Sequence, residues 1–258
     1  MEFNMSLLGF KSVSAILILA ITILSGLLTL HLTNREQRIL QIADAGANGI
    51  FIGAALFHLL PEAFQQFETL HFPHFRLDAL ALAVMGFLLL VILEKLVVGK
   101  KHSLPRSARI NTLLLLGLLG IHSFITGATL GISATFAAGW IILIAIIAHK
   151  GCESFALMNN MRKSQYHSLG LRVILMSFAT ITPIGILFGQ VTSGILANYS
   201  SEVLTAVFSA FATGTFLYIG SKHSLHTHQH REDSYSQWQH MMASLSGMLA
   251  MGIIAVWV

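Results

Sequence analysis

The feature that most constrains this chain is a run of forty residues, 110–149, that contains no Asp, Glu, Lys or Arg. About 20 helical residues cross the hydrocarbon core of a bilayer, so a run of this length predicts two membrane spans in succession. The segment LGISATFAAG, rich in small residues, predicts the turn between them. We therefore expect a hairpin of two membrane helices near the middle of the chain.

Composition extends this prediction to the whole chain. Of its 258 residues, 10% are charged, whereas a soluble domain has about 25%. The sequence predicts an all-α polytopic membrane bundle of eight transmembrane helices. We expect this bundle to be a single domain, because no loop is long enough to bury a second core. The predicted spans are approximately 12–34, 45–67, 77–98, 110–131, 136–158, 170–193, 203–221 and 241–258.

The distribution of cations predicts the orientation. Loops after odd-numbered spans contain twelve Lys and Arg residues, and the opposite side contains two. By the positive-inside rule, the odd-numbered loops are cytoplasmic and both termini are extracytoplasmic. We expect an integral protein of the plasma membrane or the bacterial inner membrane, with the lipid bilayer and not nucleic acid as its partner.

Three predicted spans repeat one pattern, a pair of polar residues four positions apart. Residues at this spacing share a helix face, and ionisable groups within a membrane usually line a cavity or bind something. Imidazole and carboxylate are zinc ligands. A single buried His is more often a core residue bonded to a backbone carbonyl, but three aligned pairs favour a divalent metal site. The pairs are His58 with Glu62, His122 with Thr126, and His149 with Glu153.

Other candidate residues surround these pairs. Lys150 is either a counter-ion to Glu153 or a charge that fills a vacant site. The single cysteine, Cys152, allows neither an intrachain disulfide nor a cysteine-based zinc site. The predicted cytoplasmic loop 222–240 is rich in histidine, a composition that binds metals loosely, and we expect a regulatory role. Its candidate ligands are His223, His226, His228 and His230.

Several motifs resemble those of one known family. HSFITGATLGI in span four and HKGCESFAL in span five are similar to the signature helices of the ZIP (Zrt-, Irt-like) divalent metal transporters. The resemblance is closest to the branch whose fifth-helix motif begins His-Lys. FHLLPEAF, TPIG and GTFLYIG also look like that family. The resemblance implies eight helices with both termini outside, a metal site between helices four and five, import of Zn²⁺ or Fe²⁺ toward the cytoplasm, and frequently a homodimer.

The chain departs from the family pattern at three core positions. Many members have a carboxylate where Thr126 stands and Asn where Ser123 stands. Another group has a carboxylate where Lys150 stands, which gives a two-metal centre. The usual His-rich loop lies between helices three and four, whereas here it lies between seven and eight. These departures leave a one-metal or a two-metal core open.

The sequence therefore predicts a transporter that imports a divalent transition metal, Zn²⁺ first, with Fe²⁺, Mn²⁺ and Cd²⁺ as alternatives and no catalytic cofactor. We expect His122, His149 and Glu153 to be the core ligands. His58 and Glu62 line the path or complete the shell, and Ser123 and Thr126 are weak oxygen donors. Alternating access is the mechanism that the resemblance implies.

Two alternatives belong to other functional classes. A membrane-embedded zinc-dependent lipid hydrolase needs a metal-activated water, and no intramembrane H-x-x-x-H pair is present in the sequence to hold its metal. The second alternative is a regulated channel or a metal sensor, neither of which needs alternating access. A channel would conduct ions without saturation.

Overall fold

The computed structural model describes residues 6–32, 37–71, 75–98, 104–163, 167–192, 199–226 and 234–256. Within these ranges every regular element is helical, which confirms the predicted class. In chain order the helices are α1 (Leu7–His31), α2 (Gln37–Gly53), α3 (Leu60–Thr69), α4 (Phe75–Val98), α5 (Leu104–Ile132), α6 (Phe136–Lys163), α7 (Ser168–Thr192), α8 (Tyr199–His226) and α9 (Ser234–Ala255). A π-helical turn, Ala54–Leu59, joins α2 to α3.

Over the described residues, six helical segments are long and apolar enough to cross a membrane. They match the first six predicted spans. The seventh prediction, 203–221, falls in α8, whose apolar part Ala206–Ser221 is shorter than these six. The eighth, 241–258, falls largely in α9, which is not among the six in the described part of the chain. The polytopic bundle is therefore confirmed, and the count of eight spans stays a prediction.

Two helices extend into the predicted histidine-rich loop. The prediction covered residues 222–240, but α8 continues to His226 and α9 begins at Ser234. The spans were predicted from apolar residues alone, whereas α8 ends in polar residues and α9 begins with them. Both helices therefore extend beyond their predicted spans. His228 and His230 lie outside the described residues, as do the side chains of His223 and His226.

The π-helical turn has a local cause in the sequence. Pro61 has no N–H to donate, and its ring clashes with the carbonyl four residues earlier in a regular α-helix. Just before it, the Leu60 N–H donates to the carbonyl of Ala55, five residues back, which is the π-helical pattern. Turns of this kind occur frequently at functional sites, and this one contains His58.

The helices pack as two groups. α1, α5, α6 and α7 form the first group, in which α6 and α7 contact each other and both contact α1 and α5. α2 with its π-helical turn, α3, α4, α8 and α9 form the second group. The predicted hairpin lies in the first group: α5 ends at Ile132 and α6 begins at Phe136, so the turn falls within LGISATFAAG as expected.

Hydrogen bonds fasten α1 to α6 along the first group. The Ser154 hydroxyl donates to the Thr22 carbonyl at 2.7 Å, and the Ser25 hydroxyl donates to the Gly151 carbonyl at 2.6 Å. Both bonds lie beside the stretch of α6 that carries His149 and Glu153. Because a buried polar group without a partner is costly, these bonds fix the position of that stretch against α1.

Lys11 corrects a sequence prediction. The predicted first span begins at residue 12 and so leaves Lys11 outside it, but α1 begins at Leu7 and includes Lys11. Its side chain is buried, and its ammonium group donates to the Gly131 carbonyl at 2.6 Å. Gly131 lies in the last turn of α5, where carbonyls lack helical partners and a cation is favourable. Lys11 thus ties α1 to the end of α5.

Glycines allow α5 and α7 to cross closely. A Cβ atom on Gly127 would meet the carbonyl oxygen of Thr182, and one on Gly185 would meet the carbonyl oxygen of Phe124. Small residues at such crossings let membrane helices approach each other. Gly117 differs, since a Cβ there would meet no described atom within 4 Å. Gly127 therefore has a packing role in this helix pair and Gly117 does not.

We expect Gly127→Ala and Gly117→Ala to have opposite effects on stability. Ala in place of Gly within a helix stabilises by about 0.5–1 kcal/mol when space allows, whereas a methyl group forced into a packed contact costs about 1–3 kcal/mol. The melting temperature of the solubilised protein should therefore fall for Gly127→Ala and rise slightly for Gly117→Ala. Equal melting temperatures for the two variants would contradict the close crossing.

Candidate metal site

Three polar side chains from the α5–α6 hairpin meet within the bundle. His122 lies on α5, and His149 and Glu153 lie one turn apart on α6. Their exposed fractions are 5%, 2% and 1%. Each offers one ligand atom, and these atoms all lie within 4.8 Å of one another. The structure brings together the three residues that the sequence predicted as core ligands.

The spacing of the atoms suits a tetrahedral metal ion. Glu153 Oε1 lies 3.6 Å from His122 Nε2 and 3.5 Å from His149 Nε2. Two ligands about 2.0–2.2 Å from a tetrahedral zinc ion are separated by roughly 3.4 Å. Within the described part of the chain, neither His122 Nε2 nor Glu153 Oε1 has a hydrogen-bond partner. Buried polar atoms are rarely left in this state unless they serve a function.

The second oxygen of Glu153 is used differently. Oε2 accepts a hydrogen bond from the Lys150 ammonium at 2.9 Å and one from the Ser123 hydroxyl at 3.2 Å. Lys150 also donates to Ser123 at 2.5 Å, and its ammonium lies 4.4 Å from the centre of the Phe178 ring. Lys150 is therefore the counter-ion of Glu153, which was one of its two predicted roles. The carboxylate is held by one oxygen while the other faces the histidines.

Ser123 and Thr126 occupy different positions around the cluster. The hydroxyl of Ser123 lies among the contacts of Lys150 and Glu153, and the residue is fully buried. The hydroxyl of Thr126 donates to the His122 carbonyl at 3.1 Å, and the residue lines a cavity. Their role as weak oxygen donors stays a prediction.

A cavity of about 490 Å³ leads to the cluster. Its lining includes both imidazoles and extends to Thr129, near the end of α5, and Ile141, near the start of α6. It therefore opens toward the end of the bundle at which these two helices are joined.

His58 and Glu62 line the same cavity from the second group. His58 Nε2 lies 3.8 Å from Glu62 Oε2, and Glu62 accepts a hydrogen bond from Gln66 at 3.0 Å. Glu62 is about one-third exposed, so it is more accessible than the three core residues. The structure thus places this pair along the cavity that leads to the core cluster.

Two features of the site were not predicted from the sequence. Gln66 extends the polar face of α3, and its position four residues after Glu62 was a usable signal. Phe216 of α8 packs against both imidazoles, with its ring centre 4.5 Å from that of His122 and 5.9 Å from that of His149. No spacing rule within one helix indicates this contact, which depends on how α8 packs.

A sequence profile described as ZIP zinc transporter matches residues 8–109 and 98–255. The chain belongs to the ZIP zinc transporter family. Zinc transporter ZIP2 of Mus musculus is 23% identical over 273 aligned residues, covering 83% of this chain and 87% of that protein. Zinc transporter 11 of Arabidopsis thaliana is 25% identical, covering 98% and 86%. Zinc transporter ZIP1 of Homo sapiens is 23% identical, covering 82% and 80%.

Membership of the ZIP family decides between the functional classes. Its members are transporters and not enzymes, so the chain is an integral membrane metal transporter and the lipid hydrolase is not favoured. The closeness to the branch with His-Lys in the fifth helix stays a prediction.

Proposed function

We propose that this ZIP protein imports a divalent transition metal, Zn²⁺ first, toward the cytoplasm. The observation that carries this proposal is the buried set of His122, His149 and Glu153 at the inner end of a cavity, with ligand atoms spaced for a tetrahedral ion. The names of the relatives, all zinc transporters, support Zn²⁺ as the substrate. Imidazole nitrogen and carboxylate oxygen also bind Fe²⁺, Mn²⁺ and Cd²⁺, which remain secondary substrates of the proposal.

The position of the cavity and the distribution of charge both support the proposed direction of transport. The cavity opens at the end of the bundle where α5 meets α6. The excess of Lys and Arg in the odd-numbered loops supports an extracytoplasmic position for this end, by the positive-inside rule. Metal enters there, passes His58 and Glu62, and reaches the core ligands.

Movement of the two helix groups against each other is the proposed route to the other side. The core ligands lie on the first group, and His58 and Glu62 lie on the second. A shift between the groups moves the cavity lining of the second group away from the core ligands. The three core ligands stay together, because all of them belong to the first group. This arrangement suits alternating access around a fixed intramembrane site.

Uptake by proteoliposomes that contain the purified chain tests the function. We expect saturable uptake of labelled Zn²⁺, with weaker uptake of Fe²⁺, Mn²⁺ and Cd²⁺ in separate assays. Flux that rises linearly with concentration would indicate a channel, and no flux above that of empty liposomes would contradict transport.

Replacing His58 by Ala should alter apparent affinity more than maximal rate. The residue lies on the approach to the core, so its loss weakens capture of the ion while leaving the core ligands intact. We expect KM for Zn²⁺ to rise by about tenfold, corresponding to about 1.4 kcal/mol, with Vmax changed by less. His31→Ala, at the exposed end of α1, is the control. A lower Vmax at unchanged KM would contradict a role in capture.

Two further parts of the proposal concern regions beyond this site. The histidines at 223, 226, 228 and 230 act as a regulatory metal-binding segment rather than as part of the route.

A homodimer is the expected assembly. Mass measurement of the protein in detergent, with and without the four histidines, tests the assembly separately from transport.

A further inference from the structure

Phe216 is an aromatic side chain of the second group that contacts both histidines of the first. Its exposed fraction is 1%, and its ring meets the His122 and His149 imidazoles at tilted and edge-on angles of 58° and 86°. Aromatic rings favour such arrangements over face-to-face stacking. Phe216 therefore limits the rotation of two imidazoles whose Nε2 atoms face Glu153.

A second ring supports Phe216 from behind. Phe51 of α2 is fully buried, and its ring centre lies 5.3 Å from that of Phe216 at an angle of 80°. Interiors packed in this way have little free volume. Phe216 is thus unable to move away from the histidines unless α8 or α2 also moves.

The cavity approaches Phe216 without reaching its ring. Its lining on α8 includes Ala212 and Thr215, the residue before Phe216, but not Phe216 itself. Phe216 itself belongs to a buried apolar cluster that also includes Leu119, Ala156 and Leu157. The ring therefore contacts both imidazoles that line the cavity and is part of the apolar core next to them.

We propose that Phe216 is a positioning residue for the two histidines and the seal at the inner end of the cavity. This inference rests on the proposed function for its metal-binding part only, because the seal is a property of the packing. By holding both imidazoles against Glu153, the ring keeps the ligand set assembled before the ion arrives. Since it belongs to the second group, movement between the groups withdraws the seal and opens the site on its other side.

Thiol labelling in lipid nanodiscs tests the seal without metal or transport. Ala156, three residues after Glu153 and 3% exposed, is replaced by Cys in a Cys152→Ser background. A charged methanethiosulfonate reagent is then added to both faces. Phe216→Ala leaves a void large enough for water, and we expect labelling to be faster by about tenfold or more.

The matched control is Phe188→Ala, which removes an aromatic ring from the outer surface of α7. If Phe216→Ala does not fold, Phe216→Val replaces it, since it keeps an apolar side chain but is too short to fill the space. Equal labelling rates for the Phe216 variant and the Phe188 control would overturn the proposed seal.

Equilibrium binding of Zn²⁺ tests the positioning role. Loss of a group that orients metal ligands typically reduces affinity by about 10–100-fold, so we expect Kd to rise in that range for Phe216→Ala and to stay unchanged for Phe188→Ala. An unchanged Kd in the Phe216 variant would overturn the positioning role. Absence of Zn²⁺ binding by the unmutated protein would instead contradict the proposed function, and the labelling result would still decide the seal.

Discussion

Replacing Glu153 by Gln is expected to reduce saturable Zn²⁺ uptake by at least about 100-fold, more than loss of an orienting group costs. Oε1 of Glu153 faces both imidazoles, so one substitution removes the anionic ligand that the two histidines share. The amide has nearly the same shape as the carboxylate, and the packing around it should therefore persist. The reduction in uptake therefore reports the loss of a charged metal ligand rather than a change in side-chain volume.

Lys150 increases this effect. With Glu153 neutral, the buried ammonium keeps its charge close to the metal position and no carboxylate compensates for it. Two unit charges about 4 Å apart interact by roughly 4 kcal/mol at an effective dielectric constant near 20, and a divalent ion doubles this. Repulsion is thus added to the loss of a ligand.

Uptake into proteoliposomes and Zn²⁺ binding to the purified protein are the measurements. The matched control is Glu68→Gln, which removes an exposed carboxylate in the last turn of α3 and should leave both unchanged. His149→Ala should resemble Glu153→Gln. Normal uptake by a folded Glu153→Gln variant would remove Glu153 from the ligand set.

The sequence predicted those parts of the site that lie within one helix. His149 and Glu153 share a face of α6 because four residues make about one turn. The uncharged run 110–149, which ends at His149, predicted that the pair lies within the membrane. The same rule predicted the pairing of His58 with Glu62, which the structure places at 3.8 Å.

Contacts between helices were beyond such rules. That Ser123 of α5 lies between Lys150 and Glu153 depends on the rotation and depth of α5 against α6. That Phe216 meets the histidines depends on the docking of α8 from the other group. Helical periodicity identifies the polar face of each helix. It does not determine which face of a neighbouring helix packs against that polar face.

Lys11 shows a different limit. The predicted first span begins after Lys11, because a charged residue is costly within a membrane. The long aliphatic stem of Lys11 lets the residue stay in the helix while its ammonium group reaches the free carbonyl of Gly131. A prediction from composition includes the charge of Lys11. It does not include a hydrogen-bond partner that lies 120 positions away in the sequence.

Lys150 should limit the core to one metal ion per chain. The residue is 1% exposed. Its ammonium group donates to Oε2 of Glu153, the oxygen that does not face the histidines, and to the Ser123 hydroxyl. A second divalent ion there would meet a repulsion of roughly 8 kcal/mol at about 4 Å and an effective dielectric constant near 20. Even half of this weakens binding by about a thousandfold, since about 1.4 kcal/mol is a factor of ten.

The same ammonium should stabilise the protein while no metal is bound. Removing one partner of a buried ion pair costs about 3–5 kcal/mol, because the other charge is left uncompensated. We therefore expect Lys150→Met to melt at a lower temperature than the unmutated protein when both are metal-free. Adding Zn²⁺ should recover part of the difference, because the ion then compensates Glu153.

Lys150→Asp should raise the number of bound core ions from one toward two. It exchanges the repelling charge for a carboxylate beside Ser123 and Oε2 of Glu153, which together supply oxygen ligands on that side. Lys150→Met is the matched control, since it removes the charge without adding a ligand and should keep one ion. The count is made by equilibrium dialysis with Zn²⁺, in chains whose histidines at 223, 226, 228 and 230 are replaced by Ser so that only the core contributes. Two tightly bound core ions in the chain that retains Lys150 would show that its ammonium does not exclude the second ion.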